Sequence, residues 1–334
     1  MQNTISRLSY ATIFPELKRV LEANGFSEPD AIQLAKTFTD NSEDGVYTHG
    51  LNRFPTFIEF VQQGYVKPGA VIQQINGMGA LEQYDGDGGA GILNGLFCAD
   101  RSVALAAQYG IGCVAIRNTN HWMRGGTYGW RAADQGYAHI CFTNTHPLFA
   151  PWGGRESRLG NNPLILAVPR KEGPIVLDMA LSQFSMGKIT SYSRAHETLP
   201  YPGGYDANDQ LTQDADIIRQ TRRLLPIGLY KGAGLSLLLD LLVTLLSKGD
   251  STAVIANKAV ETGISQVFIS IKLEGDEQQE AMIEQILAYT KSSTPIHENE
   301  TVRYPGEGVV QTRAMNKAHG IPVDQQIWNT ILGL

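Results

Sequence analysis

Three features of the chain predict a mixed α/β (α+β) fold: a helical opening, an alternation of strand and helix patterns over residues 79–144, and a second strand and helix over residues 266–292. With 334 residues, 43% hydrophobic and 18% charged, the chain has room for two or three domains around a large buried core. A net charge of -6 without any block of like charge gives no footprint for nucleic acid or an anionic membrane surface. Cys98, Cys113 and Cys141 are odd in number, widely spaced and set in apolar surroundings. That is the pattern of reduced core cysteines rather than of a disulfide framework or a zinc site. The opening residues lack the charged-then-apolar build of a signal peptide, so a cytoplasmic location is expected.

Taken in order, residues 6–24 place apolar side chains at helical spacing, and Ser27 opens a second helix through Ala31, Leu34, Ala35 and Phe38. A third helix is expected from Thr48, as its N-cap, along Phe54, Phe57, Ile58, Phe60 and Val61 to Gly64, with Pro55 tolerated only near its start. Lys67-Pro68-Gly69 breaks the pattern, and a boundary near residue 76 closes a helical first part, 1–76. The middle part, 77–224, reads as strand 79–84, helix 92–109, strand 112–117, helix 127–135, strand 137–144, two further strands at 164–168 and 174–178, and an exposed loop over 201–212. The apolar run 232–246 is interrupted by Asp240 and is shorter than the roughly 18 residues of a membrane span, so a buried helix is expected there. It belongs to a last part, 225–334, with a strand at 266–273, a helix at 277–292 and a final helix containing His319.

Chemistry concentrates in a few places. His49 and Arg53, four residues apart, would share one helix face: an imidazole to move a proton and a guanidinium to hold a carboxylate as a bidentate fork. The plainer account is a capping histidine and an arginine paired to a surface acid. His121 and Arg124 repeat the pairing between a strand and a helix, where Gly125 and Gly126 let backbone amides approach an anion; a polar turn capped by Thr127 is the simpler alternative. Asp178, at a strand end, suits a ribose hydroxyl, an imidazole or a helix cap, and Lys231 at a helix entrance suits a phosphate, a carbonyl oxygen or open water. Gly86, Gly88 and Gly91 spell a literal Gly-x-Gly-x-x-Gly. The stretch before them is not a buried apolar strand, however, and no acidic residue lies between Asp100 and Asp134, so a glycine-rich turn is the better reading. A Walker A loop, a Gly-x-Ser-x-Gly elbow and a His-Glu-x-x-His pair are all absent. Histidine, arginine, lysine and glycine remain, a set that favours proton-coupled carbonyl chemistry with a cofactor supplying the hard step.

Six ordered motifs carry a resemblance that runs nearly end to end: residues 48–53 (Thr-His-Gly-Leu-Asn-Arg), Asn120-His121, residues 160–163 (Gly-Asn-Asn-Pro), residues 177–180 (Leu-Asp-Met-Ala), residues 231–234 (Lys-Gly-Ala-Gly) and residues 303–307 (Arg-Tyr-Pro-Gly-Glu). Together they make the chain similar to the malate/L-lactate dehydrogenase type-2 family. Residues 45–55 and 121–130 most resemble a branch that reduces an open-chain diketo sugar acid.

The resemblance implies a nicotinamide-dependent homodimer using NADH, or alternatively NADPH, on a small sugar acid. Its cofactor domain would be non-Rossmann, with a mixed or antiparallel sheet. By the same resemblance His49 matches a proton donor and His121 an alternative acid-base group; the residue chemistry adds Arg53 and Arg124 as expected holders of the substrate carboxylate and hydroxyls. The cofactor contacts fall on Pro174, Ile175, Val176, Leu177, Asp178, Met179 and Ala180, on Tyr230 and Lys231, and on Gly306, Glu307 and Gly308. No metal is implied. A malate-, lactate- or ureidoglycolate-type dehydrogenase is the same-chemistry alternative. A cofactor-free sugar-acid lyase or isomerase, or a non-catalytic sugar-acid-binding protein, stands in another class.

Overall fold

The computed structural model describes residues 5–334. The chain opens with a short strand, β1 (Ile5–Leu8), in place of the helix expected from residue 6. Ser9 then caps α1 (Tyr10–Ala23), its hydroxyl accepting from Thr12 N at 3.1 Å. Ser27 caps α2 (Glu28–Glu43) as its sequence suggests. The expected third helix starts later than Thr48. Two separate 3-10 turns, Tyr47–His49 and Leu51–Arg53, precede α3 (Phe54–Gln62), whose first turn takes Pro55.

Gly50 separates the two turns because it lies against α2: a Cβ there would stand 2.1 Å from Ser42 Oγ, 2.9 Å from Ser42 N and 3.0 Å from Phe38 O. Ser42 Oγ also accepts from Leu51 N at 2.9 Å, which locks the turn to the helix.

An exposed strand that the sequence did not signal, β2 (Gln73–Met78), spans the expected boundary at residue 76 and pairs with β3 (Leu81–Asp85). The alternation then runs as expected through α4 (Gly91–Tyr109), β4 (Ile111–Thr119), α5 (Gly126–Ala133) and β5 (Tyr137–Thr143). After β6 (Pro147–Phe149) and β7 (Leu159–Gly160), an antiparallel hairpin of β8 (Leu164–Val168) and β9 (Ile175–Met179) leads into α6 (Met186–Ala195). The loop expected over 201–212 contains a two-stranded ladder, β10 (Gly204–Tyr205) and β11 (Leu211–Thr212), and α7 (Ala215–Thr221) follows. The C-terminal part comprises α8 (Tyr230–Ser247), α9 (Thr252–Ile255), β12 (Ile264–Lys272), α10 (Glu277–Lys291), α11 (Glu307–His319), β13 (Ile321–Asp324) and α12 (Gln325–Gly333).

The main sheet has seven strands in the order β2-β3-β4-β12-β5-β8-β9. Only β3 and β4 are parallel; β12 inserts antiparallel between β4 and β5, which the local alternation alone would have set side by side. Residues 225–334 divide between the sheet and the helical part. They supply the central strand first, and then α11, α12 and β13, which pairs with β1.

Strand periodicity puts two cores on opposite faces of this sheet. Val114, Ile116, Cys141 and Phe268 face α4, α5 and the N-terminal helices, whereas Ala115, Phe142 and Val267 face Leu239 and Val243 of α8.

α8 is not the buried helix its sequence suggested. Leu237, Leu238, Leu241, Leu242 and Leu245 are exposed, and only the opposite face packs on the sheet. Among the described residues it is the one helix long and apolar enough to cross a membrane by length and composition. Its Asp240 points inward, accepting from Asn144 Nδ2 at 3.0 Å and Thr252 N at 2.9 Å.

The close approach at Gly50 makes it a sensitive point. Gly50→Ala is expected to destabilise the protein by about 1–3 kcal/mol through overpacking, read as a lower urea midpoint at unchanged slope. A midpoint equal to that of the parent would show that the turn relaxes freely.

Candidate active site

Two loops meet beside the central strands. One is the pair of 3-10 turns carrying His49 and Arg53; the other runs from the end of β4 into α5 and carries His121. The His49 backbone is fixed to α2, its carbonyl accepting from Asn41 Nδ2 at 3.0 Å. Asn120 fixes the second loop by donating to Tyr65 O, Gly88 O and Gly89 O, so the glycine-rich decoy is a structural turn gripped by the loop it faces. A Cβ at Gly91 would stand 1.9 Å from Asn120 O. Met123, with φ at +62°, turns this loop through the left-handed region, a strain typical of functional segments.

The His49 and His121 rings stack with centroids 5.6 Å apart and planes 9° apart. Met123 N donates to His121 Nδ1 at 3.0 Å, so the neutral ring carries its proton on Nε2. The Thr48 hydroxyl lies 3.3 Å from His49 Nδ1. Both imidazoles are pulled down to about 3, His49 by burial and then by His121, Arg53 and Arg124, and His121 by burial and then Arg53. His49 is thus neutral, first because of burial and then because of the neighbouring ring and cations.

Arg53 stands over the Phe60 ring at 5.9 Å and lines one small cavity with Thr56, Asn120, His121, Met123 and Glu261. Sequence reasoning missed Glu261, which comes from the loop before β12. Its position shows only once that strand is threaded between β4 and β5.

Arg124 does not join this cavity. Its guanidinium is buried and donates to Asp44, which also receives Arg313 Nε at 2.5 Å and Nη2 at 2.8 Å. In this arrangement the Arg124 guanidinium faces Asp44 and Asp178 and not the cavity that Arg53 lines. The anion that the glycine pair admits is likewise internal: Gly126 N donates to Asp178 Oδ2 at 2.8 Å, and Arg124 Nε lies 3.8 Å from the same oxygen. Thr127 is not the cap of α5, its hydroxyl donating instead to Asn41 Oδ1 at 3.0 Å.

Of the three segments matched to cofactor contacts, one lies on β9, an edge strand of the main sheet, and the other two approach it from opposite ends. Gly306, at φ +92°, lies against it, since a Cβ there would sit 3.2 Å from Val176 N and 3.3 Å from Val176 O. Beyond the other end of the strand, Ile227 N donates to Leu181 O at 2.8 Å, shortly before Tyr230 and Lys231. Val176 and Leu181 are separated by about 17 Å of extended chain.

Tyr230, Lys231 and Asp178 are exposed, and the N-terminus of α8 has no side-chain cap. Among the described residues Lys231 has no carboxylate partner. Free edge-strand amides, an uncapped helix start and an unpaired lysine fit a dinucleotide, whose ribose and diphosphate need those partners. Glu307 starts α11 and pairs with Lys291, and Gly308 follows it in the first turn. The start of α6 reaches Thr48, because a Cβ at Gly187 would meet Thr48 Cγ2 at 2.9 Å, and so the chain leaving β9 touches the turn that carries His49.

The family model described as malate/L-lactate dehydrogenase matches residues 8–332. A relative named 2,3-diketo-L-gulonate reductase, from Salmonella typhimurium, is 41% identical over 96% of this chain and 99% of its own length. Among solved structures, malate dehydrogenase from Pyrococcus horikoshii superposes with a TM-score of 0.89 at 29% identity, covering 98% of this chain and 95% of that one. Sulfolactate dehydrogenase from Methanocaldococcus jannaschii gives 0.88 at 29% identity, covering 98% of each.

The histidine electrostatics make a signed prediction. In the ligand-free protein the His49 and His121 ring signals are expected to remain neutral by NMR until the pH falls towards about 3. Arg53→Gln removes a cation facing both rings and is expected to move both titrations to higher pH. Parent rings titrating at the ordinary histidine value would refute the arrangement.

Proposed function

The chain belongs to the malate/L-lactate dehydrogenase family and is an oxidoreductase acting on a CH–OH group, and from that premise we propose that it reduces 2,3-diketo-L-gulonate to 3-keto-L-gulonate with NADH. The observation that carries the reading is the stacked His49–His121 pair beside Arg53, in a chain 41% identical over 96% of its length to a reductase of that name. Residues 174–180, Tyr230, Lys231 and residues 306–308 would hold the cofactor, whose nicotinamide supplies the hydride.

In this reading the neutral His121 donates its Nε2 proton in a hydrogen bond to the ketone oxygen, and Arg53 holds the substrate carboxylate. His49 is the proton donor to the developing alkoxide. It is a weak base in the ligand-free site, first through burial and then through His121, Arg53 and Arg124. A carboxylate seated on Arg53 offsets that charge and raises the proton affinity of His49 when an acid is needed. Arg124, tied to Asp44 and facing Asp178, positions the loop and β9 instead of touching substrate. The sheet-based core and the helical layer are assigned to cofactor and substrate respectively.

The exposed leucines of α8 form a contiguous apolar face of the kind that protein interfaces cover, which supports a homodimer; a cytoplasmic location accords with that assembly.

The test is NADH oxidation with 2,3-diketo-L-gulonate beside oxaloacetate, pyruvate and oxalurate, and with NADPH as the competing cofactor. The diketo acid is expected to give the highest kcat/KM. A win for one of the smaller acids would refute the substrate, and absence of NADH consumption would favour a lyase or a binding protein. His49→Ala is expected to lower turnover by roughly 10²–10⁴ with NADH binding retained. Arg53→Ala is expected to act chiefly through a higher KM, and a loss confined to kcat would contradict the anchoring role.

A further inference from the structure

Glu261 is a carboxyl group set into the same cavity as Arg53 and His121, and nothing in the reduction itself uses it. Its Oε2 accepts from His146 N at 2.8 Å. The His146 ring is itself held at the same loop, its Nε2 lying 3.2 Å from Lys258 O. Lys258 closes that loop by donating to Asp250 and to Thr262 O. Among the described residues the second Glu261 oxygen has no hydrogen-bond partner. The carboxyl is therefore oriented at one oxygen and open at the other. Arg53 attracts it, while burial raises its proton affinity above that of an ordinary glutamate.

We propose that Glu261 is a specificity-determining residue, its free oxygen accepting a hydroxyl of a polyhydroxy monocarboxylate while its charge repels a second carboxylate on the ligand. The assignment rests on the sugar-acid reading above and deepens it. A ligand with one carboxylate on Arg53 brings its remaining groups towards Glu261, the one carboxyl among the polar groups, Thr56, Asn120 and His121, that line the cavity with it. A hydroxyl there meets a charge-assisted acceptor, which is worth about twice a neutral hydrogen bond. A second carboxylate meets a like charge and loses its water without compensation. The neighbouring Phe60 and Met123 supply no group to offset that repulsion.

Binding is measured by calorimetry with NADH present, using L-gulonate as the polyhydroxy monocarboxylate and L-malate as the dicarboxylate; both are alcohols, so no turnover occurs with the reduced cofactor. The parent protein is expected to prefer L-gulonate, and Glu261→Gln to shrink the ratio of the two affinities by about tenfold, mainly by admitting malate. Glu261→Asp keeps the charge and is expected to keep malate out. An unchanged ratio in Glu261→Gln, or an equal gain for both acids, would overturn the assignment, the latter because Glu261 would then act only on Arg53. If Glu261→Asp admits malate as readily as Glu261→Gln does, the charge argument fails. If the selectivity holds while the parent does not turn over 2,3-diketo-L-gulonate, the role of Glu261 stands and the substrate identity falls.

Discussion

The structure depends most on a single buried carboxylate. Asp44, at the C-terminal end of α2, receives Arg124 from the loop before α5 and Arg313 from α11, and so joins three segments that are remote in sequence. Burial alone would raise its proton affinity, but the two guanidinium groups outweigh burial and lower it. Two cations on one anion leave residual positive charge. Asp178, 3.8 Å from Arg124 Nε, takes up part of it, and the Trp130 ring lies 4.7 Å from the Arg313 guanidinium. Such networks are weak evidence for stability, since apolar groups of similar volume often serve as well. Here the network has a geometric consequence: it sets β9 and the turn after α2 in fixed relation, and those are the two pieces the chemistry has to bring together.

The same arrangement explains how the site handles protons. A histidine intended as an acid near neutral pH is normally given an anionic neighbour. His49 instead has a second imidazole stacked on it and is held neutral by burial, then by that ring, Arg53 and Arg124, with no carboxylate among the groups that shift it. The ligand-free site is thus proton-poor, and Arg53 offers an incoming carboxylate a partner before the site favours proton transfer. The charge of Arg53 couples binding to acid strength, adding to burial and the neighbouring ring in holding His49 neutral. This link needs no conformational change, because a counter-ion beside Arg53 alters the potential at both rings.

Much of this was legible in the sequence, for local reasons. Helices α2 and α4, strands β4 and β5 and the β8–β9 hairpin follow from period and capping signals within a dozen or so residues. The elements that escaped were decided at a distance. Ser6 to Leu8 reads as helix until β13 arrives to pair with it, and β12 reads as an ordinary C-terminal strand until it is placed between β4 and β5. The turn at His49 escaped because Gly50 answers to Ser42 across the fold and not to its own neighbours. The partners of Arg124 were hidden for a related reason. A guanidinium beside two glycines looks available for a ligand, and only the tertiary structure reveals Asp44 and Asp178 already waiting for it. Residue type and spacing located His49, His121 and Arg53, but could not say which cation is free.

The rejected glycine motif sharpens the point about cofactor binding. In a parallel doubly wound sheet, one strand, one turn and one helix start supply most of a dinucleotide site, so the site is compact in sequence. The edge of an antiparallel hairpin supplies only a row of backbone groups, and the charges must come from elsewhere. In the proposed reading residues 174–180, 230–231 and 306–308 meet that requirement from scattered places in the chain, with Gly306 against Val176 and Ile227, just before Tyr230, bonded to Leu181. Scattered short motifs around an edge strand are therefore what a non-Rossmann solution should look like in a sequence. A compact glycine fingerprint on the far side of the same sheet, with its amides turned to Arg117 O and Asn118 O and its carbonyls gripped by Asn120, serves packing.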